Sequence, residues 1–226
     1  MRRLVIPVRP GVVAPQRIAL PPGAYQQPED SEGAGFAQAV RSRELAIDLK
    51  FVAPELDHRL DRTVLDSLHQ EVVVPARTTG CRSVWLGGVS LGGFIALAYA
   101  ARWPEDLDGL CLFAPYLGNR MVTGEVARDG GVEHWQPGDV PAEDEERRVW
   151  SLIQRLPAPR LKVHLGIGRD DRFGHGHTLL ARALPLTAVD LVDGGHEWPV
   201  GRQLWDLFLD RRVAPASLRP DSMRLW

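Results

Sequence analysis

The stretch from Ser83 to Leu97, Ser-Val-Trp-Leu-Gly-Gly-Val-Ser-Leu-Gly-Gly-Phe-Ile-Ala-Leu, leaves the chain few ways to fold. Its first residues read as a buried strand and its last as a helix. Between them lies a glycine-punctuated turn with one serine at its tip. Gly88-x-Ser90-x-Gly92 spaces small residues on both sides of that serine, the pattern of a nucleophile elbow. The glycines have a steric purpose: on so tight a turn, flanking side chains would collide with the neighbouring strand and helix. The helix that follows points its free N–H groups and its dipole towards the hydroxyl, where they would meet an oxyanion. A plain glycine-rich turn is the competing reading, and the rest of the chain has to decide.

Elsewhere, apolar runs alternate with helical patterns. Strands are expected at Leu4 to Val8, Arg17 to Leu20, Leu45 to Val52, Leu107 to Phe113, Leu161 to Gly168 and Leu186 to Asp193. Helices are expected over Gly35 to Arg43, Asp61 to Arg77, Ala142 to Leu156 and His177 to Ala183, and from Pro199 onwards. Pro75 should end or distort the second of these. Residues 23–33 read as a loop, and 118–142 show no strong periodicity. Near-continuous apolar strands alternating with helices imply a parallel sheet covered on both faces. Right-handed crossovers then bring the C-terminal ends of the strands to one rim, where sites form.

Three polar residues fall on that rim, in the order Ser90, Asp171, His196. A serine hydroxyl needs a base to take its proton. Imidazole is that base, and a carboxylate fixes its tautomer. Asp170 competes with Asp171 for the carboxylate role, although the Gly168-x-x-Asp171 spacing favours Asp171. The amide of Leu91 is one candidate oxyanion donor; the loop after Leu20 should supply another.

With these residues in place, the chain resembles the α/β-hydrolase superfamily, in a form with a small or reduced lid. The resemblance rests on the elbow (Gly88 to Gly92, with Gly93 beyond), the acid turn (Gly168-x-x-Asp171) and the histidine turn (Gly194-Gly195-His196). It spans about residues 17 to 211. It implies Ser90 as nucleophile, His196 as base and acid, and Asp171 as the orienting carboxylate. It also implies the Ala24 amide as second oxyanion donor, with Tyr25 as an alternative. Pro22 departs from the His that many members carry before this glycine. The short N-terminal segment implies a reduced opening hairpin and a sheet of about six or seven strands. Residues 1–226 would then form one α/β domain with a small lid-like insert at about 118–158. Met121 and Trp135 lie in that insert and, with Tyr25, are candidate substrate contacts; packing inside a lid is the competing role for Met121 and Trp135.

Composition excludes several other classes. The net charge is −2, and the basic residues, nearly all arginine, are scattered, so neither nucleic acid nor an anionic membrane is indicated. No apolar run approaches the roughly 20 residues of a membrane span. Pro7, Arg9 and Pro10 interrupt the start too early for a signal-peptide core, so a cytoplasmic location is expected. Cys81 and Cys111 have neither disulfide nor metal-site spacing. Asp170, His175 and His177 could be read as zinc ligands, but no third rigid ligand accompanies them. His58, His69, His134 and His164 read as surface or satisfied core residues, and Trp198 and Trp205 as core. The expectation is a serine hydrolase acting on a small ester, with no metal and no organic cofactor. A thioesterase or acyltransferase would use the same groups. A non-catalytic binding protein on the same fold is the third reading.

Overall fold

The computed structural model describes residues 2–6, 14–53 and 62–213. His58, the end of the expected first strand and the tail with Trp226 lie outside the described residues. Seven strands form one open sheet: β1 (Arg2–Ile6), β2 (Gln16–Leu20), β3 (Ile47–Ala53), β4 (Ser83–Val89), β5 (Gly109–Phe113), β6 (Lys162–Gly168) and β7 (Val189–Val192). Their order is β1-β3-β2-β4-β5-β6-β7. Strands β2 to β7 run parallel, and β1 alone is antiparallel, at the edge beside β3. This is the expected α/β architecture, with one antiparallel edge strand, β1, among the described residues.

The helices are α1 (Pro28–Gly33), α2 (Phe36–Ser42), α3 (Arg62–Leu68), α4 (Val74–Thr78), α5 (Leu91–Arg102), α6 (Arg120–Arg128), α7 (Glu145–Ile153), α8 (Gly174–Arg182) and α9 (Trp198–Phe208). Alternate residues of each strand feed opposite cores, because side chains on a strand change face at every step. Val84 and Leu86 of β4, Leu110 and Leu112 of β5, and Leu165 of β6 pack with α3, α4, α5, α7 and α8. On the other face, Trp85, Cys111 and Phe113 pack with Ile18, Leu49, Phe51 and the apolar sides of α2 and α9. Phe36, Trp205 and Phe208 lead that second core, with Phe36 and Trp205 stacked 5.2 Å apart. Helix α5 is buried from Gly92 to Ala100, so the helix that carries the elbow is the central one.

Two segments without strong sequence signals are helical. In α1, Pro28 stands at the first position and the Asp30 carboxylate accepts the Gln27 N–H at 2.7 Å. In α6, the Asn119 side chain caps the N–H groups of Met121 and Val122, and Val122 and Val126 anchor one face in the core. Pro75 does not end its helix. A π-helical turn, His69–Val73, joins α3 to α4, and Val74 N–H reaches back to His69 C=O. The wider turn absorbs the missing donor and the bulk of the proline ring. The final strand is shorter than expected, since Leu186–Ala188 form a 3-10 turn before β7. Among the described residues, no helix is long and apolar enough to cross a membrane.

Candidate active site

Strand β4 ends in the elbow. Ser90 has φ 54° and ψ −116°, a conformation that costs an L-residue about 1–3 kcal/mol. The surrounding backbone holds it there. Its N–H donates to Phe113 C=O at 3.0 Å, and its carbonyl accepts from Gly93, Phe94 and Tyr116. A Cβ on Gly92 would stand 2.1 Å from Pro21 O. The loop after β2 can therefore lie against the elbow only if position 92 has no side chain. Leu91 is the first residue of α5, where an N–H has no partner inside the helix.

The other two rim residues sit on adjacent turns after β6 and β7. Backbone hydrogen bonds join these turns: Arg169 N–H to Val192 C=O at 2.9 Å and Asp170 N–H to Gly194 C=O at 3.0 Å. Gly168 makes the approach possible, as a Cβ there would lie 2.4 Å from Gly194 O. The result is a contact of 2.7 Å between His196 Nδ1 and Asp171 Oδ2. The Phe173 N–H donates to the other Asp171 oxygen at 2.8 Å. Burial works to raise the Asp171 carboxyl, but the His196 bond and the Phe173 N–H outweigh it and hold the group below the usual carboxylate range. With Nδ1 engaged by a carboxylate, the imidazole carries its proton on that side and leaves Nε2 as an acceptor. His196 Nε2 is buried and has no hydrogen-bond partner among the described residues. Asp170 is exposed.

A 590 Å³ groove adjoins this site. Its aromatic floor is Tyr116 and Phe173, whose rings are 5.8 Å apart and edge to face. Tyr116 N–H bonds the Ser90 carbonyl, and the Phe173 ring packs against the His196 ring at 5.1 Å. Behind it, His177 is fully buried and its Nε2 meets Pro115 O at 2.9 Å. Burial pushes this imidazole below its ordinary range, so it stays neutral and donates to that carbonyl.

The remaining candidates from the sequence take other positions. Ala24 is exposed on the loop against the elbow, and Tyr25, at φ 62°, projects fully into solvent. Met121 is 76% exposed on α6. Trp135 is fully buried, and its indole donates to Glu125 at 2.9 Å. None of Tyr25, Met121 and Trp135 lines the groove; Trp135 packs the insert, and its N–H is consumed by a carboxylate that also binds Arg147. Asp170, His175 and His177 do not converge, because two are exposed and the third is committed to Pro115. Among the described residues, no group of three His, Cys, Asp or Glu is placed to hold a metal. Both cysteines are buried and free. Sequence reasoning missed Tyr116 and Phe173, and weighed His177 only as a metal ligand. The signal for Tyr116 was present, since Ala114-Pro115-Tyr116 follows a strand end on the same rim.

An open parallel sheet, a strained serine at the end of its central strand and a His–Asp contact on neighbouring strand-end turns define a protein of the α/β-hydrolase superfamily. Within it, a family model described as "Putative esterase" matches residues 27–198, most of the chain. The chain belongs to that esterase family and is a hydrolase. The fold is shared with FphF, a fluorophosphonate-binding serine hydrolase of Staphylococcus aureus solved with substrate bound (TM-score 0.65, 13% identity, 94% of this chain and 92% of that one). It is also shared with Est1E from Butyrivibrio proteoclasticus (TM-score 0.60, 16% identity, 92% and 93%) and with an S-formylglutathione hydrolase from Agrobacterium tumefaciens (TM-score 0.52, 14% identity, 86% and 84%). No curated protein matches the chain.

Proposed function

We propose that this hydrolase cleaves carboxylic esters through Ser90, His196 and Asp171 by way of an acyl-enzyme. The observation that carries the reading is the 2.7 Å His196–Asp171 contact, with the far imidazole nitrogen unpartnered, on the rim that also bears the strained Ser90. Ser90 Oγ attacks the ester carbonyl as its proton passes to His196 Nε2. The oxyanion is met by the Leu91 amide and, from the loop after β2, by Ala24. His196 then protonates the leaving alkoxide as the C–O bond breaks, which leaves Ser90 acylated. Water adds to the acyl carbonyl while His196 takes its proton, and the acid departs as Ser90 recovers the hydrogen. Asp171 stays ionised throughout and stabilises the imidazolium. The insert between β5 and β6 acts as a small lid.

The test is labelling with a fluorophosphonate probe, followed by turnover of p-nitrophenyl butyrate. Wild-type protein is expected to label and to hydrolyse the ester, and Ser90→Ala to do neither. Folded wild-type protein that resists the probe refutes the reading. Turnover of acyl-CoA alone, with no ester hydrolysed, would reassign the enzyme as a thioesterase.

A further inference from the structure

The groove beside Ser90 is lined by cations in a chain whose net charge is −2. Two guanidiniums, Arg120 and Arg172, line it together with His175, and its lining includes no carboxylate. Several arginines elsewhere are tied to acids, among them Arg43 to Asp206 and Asp210, Arg77 to Asp108, and Arg147 to Glu125 and Asp144. Among the described residues, Arg120 and Arg172 have no such ion pair. Glu146, which bonds two of the lining residues, is already engaged. Its Oε1 accepts from the Tyr116 hydroxyl at 2.9 Å, and its Oε2 from the Asn119 side chain and backbone at 2.7 and 3.1 Å.

The two arginines reach the groove from separate elements. Arg120 opens α6 in the insert, a position where the helix dipole disfavours a cation. Arg172 directly follows Asp171. Its guanidinium lies 5.0 Å from the centre of the Phe173 ring, the ring that also packs against His196. One charge thus lies by an aromatic ring next to the base, and the other lines the same groove from the insert. Guanidiniums without protein partners suit a carboxylate or phosphate, which they bind through paired N–H donors.

We infer that the groove between Arg120 and Arg172 receives an anionic group, a carboxylate or a phosphate, carried by the ester itself. The inference rests on Ser90 being the nucleophile and adds the substrate's charge to that reading. A neutral ester of the same size would still occupy the aromatic floor formed by Tyr116 and Phe173 but would leave both arginines unpaired.

The test uses two matched pairs of substrates. Mono-p-nitrophenyl glutarate against p-nitrophenyl butyrate places a carboxylate on the acyl side. Butyryl glycerol phosphate against butyryl glycerol places a phosphate on the leaving side. In at least one pair, the charged member is expected to have a kcat/KM at least tenfold above the neutral one. Arg120→Gln and Arg172→Gln should each lower that ratio about tenfold, and raising NaCl from 50 to 500 mM should shrink it. Using the ratio cancels any general damage to the enzyme. Ratios at or below one in both pairs, or ratios that neither substitution changes, overturn the inference. If no ester is turned over, the serine reading fails separately. Calorimetric binding of the glutarate half-ester against its methyl diester then tests the groove alone: tighter binding of the acid, lost in the two variants, supports it, and equal binding refutes it.

Discussion

Replacing Asp171 with Asn removes a charge and almost nothing else, so it isolates the link between Asp171 and His196. In the native site one carboxylate oxygen accepts the Phe173 N–H at 2.8 Å and the other meets His196 Nδ1 at 2.7 Å. An asparagine must put its carbonyl oxygen on the Phe173 donor, because an amide NH₂ there would face another N–H. Its NH₂ then points at Nδ1, which can only accept. The imidazole proton is forced to Nε2, where a base for Ser90 needs a lone pair. The cost is the wrong tautomer together with an unsupported imidazolium, about 10³–10⁴-fold in kcat/KM in sites of this type. That corresponds to about 4–5.5 kcal/mol of transition-state stabilisation. The assay is p-nitrophenyl ester hydrolysis at pH 8, with thermal unfolding as the control for folding. Asp170→Asn provides the matched comparison, since its side chain is exposed and should lose less than about threefold. An Asp171→Asn enzyme that keeps more than a tenth of its activity, or an Asp170→Asn enzyme that loses more than Asp171→Asn, would refute the reasoning.

Further outcomes follow from burial and packing. His164 is fully buried near Asp190, with Arg211 on that carboxylate; burial, then Arg212 and Arg211, depress the imidazole to about 3. The unfolded chain therefore binds a proton below 6.5 that the folded chain refuses, so stability should fall as pH drops from 6.5, by about 3 kcal/mol at pH 4. Asp190, which burial raises, opposes part of this loss near its own titration. His164→Phe should flatten the pH dependence in urea titrations between pH 4 and 7, and an unchanged slope would count against it. Gly92→Ala forces a methyl group onto Pro21 O and should cost about 1–3 kcal/mol in urea together with most of kcat. Gly124→Ala, where a Cβ meets nothing within 4 Å on α6, should instead gain about 0.5–1 kcal/mol. Equal effects of the two substitutions would contradict the packing argument.

Much of the sheet was legible because parallel strands buried on both faces must be apolar at every position, as Leu110 to Phe113 are. The rim turns were legible because their chemistry is local: serine among glycines, Gly168 three residues before Asp171, His196 after Gly194-Gly195. Helix α1 was not, since the six residues from Pro28 to Gly33 carry no apolar stripe. Helix α6 was hidden for a related reason: only Val122, Thr123 and Val126 are buried, too few to set a period. His164 was read as surface or satisfied core, yet both its ring nitrogens are buried without a hydrogen-bond partner. Nothing local distinguishes it; Asp190, Phe113 and Phe208 reach it only through the tertiary fold. The groove was invisible for the same cause, as its lining comes from two stretches far apart in sequence, Tyr116 to Gly124 and Arg172 to Gly176.

The backbone bonds between the turns after β6 and β7 have a mechanical meaning. Because Arg169 and Asp170 are laced to Val192 and Gly194, the base and its carboxylate form one rigid subassembly hung from the sheet's far edge. Ser90 hangs separately, from the central strand. Sliding or breathing of the sheet can then alter the reach from hydroxyl to imidazole while leaving the His196–Asp171 contact intact. Part of the groove wall, from Gly118 to Gly124, belongs to the insert, outside that subassembly. That part of the recognising surface can therefore be rebuilt by inheritance or by design while the proton-handling unit is passed on whole.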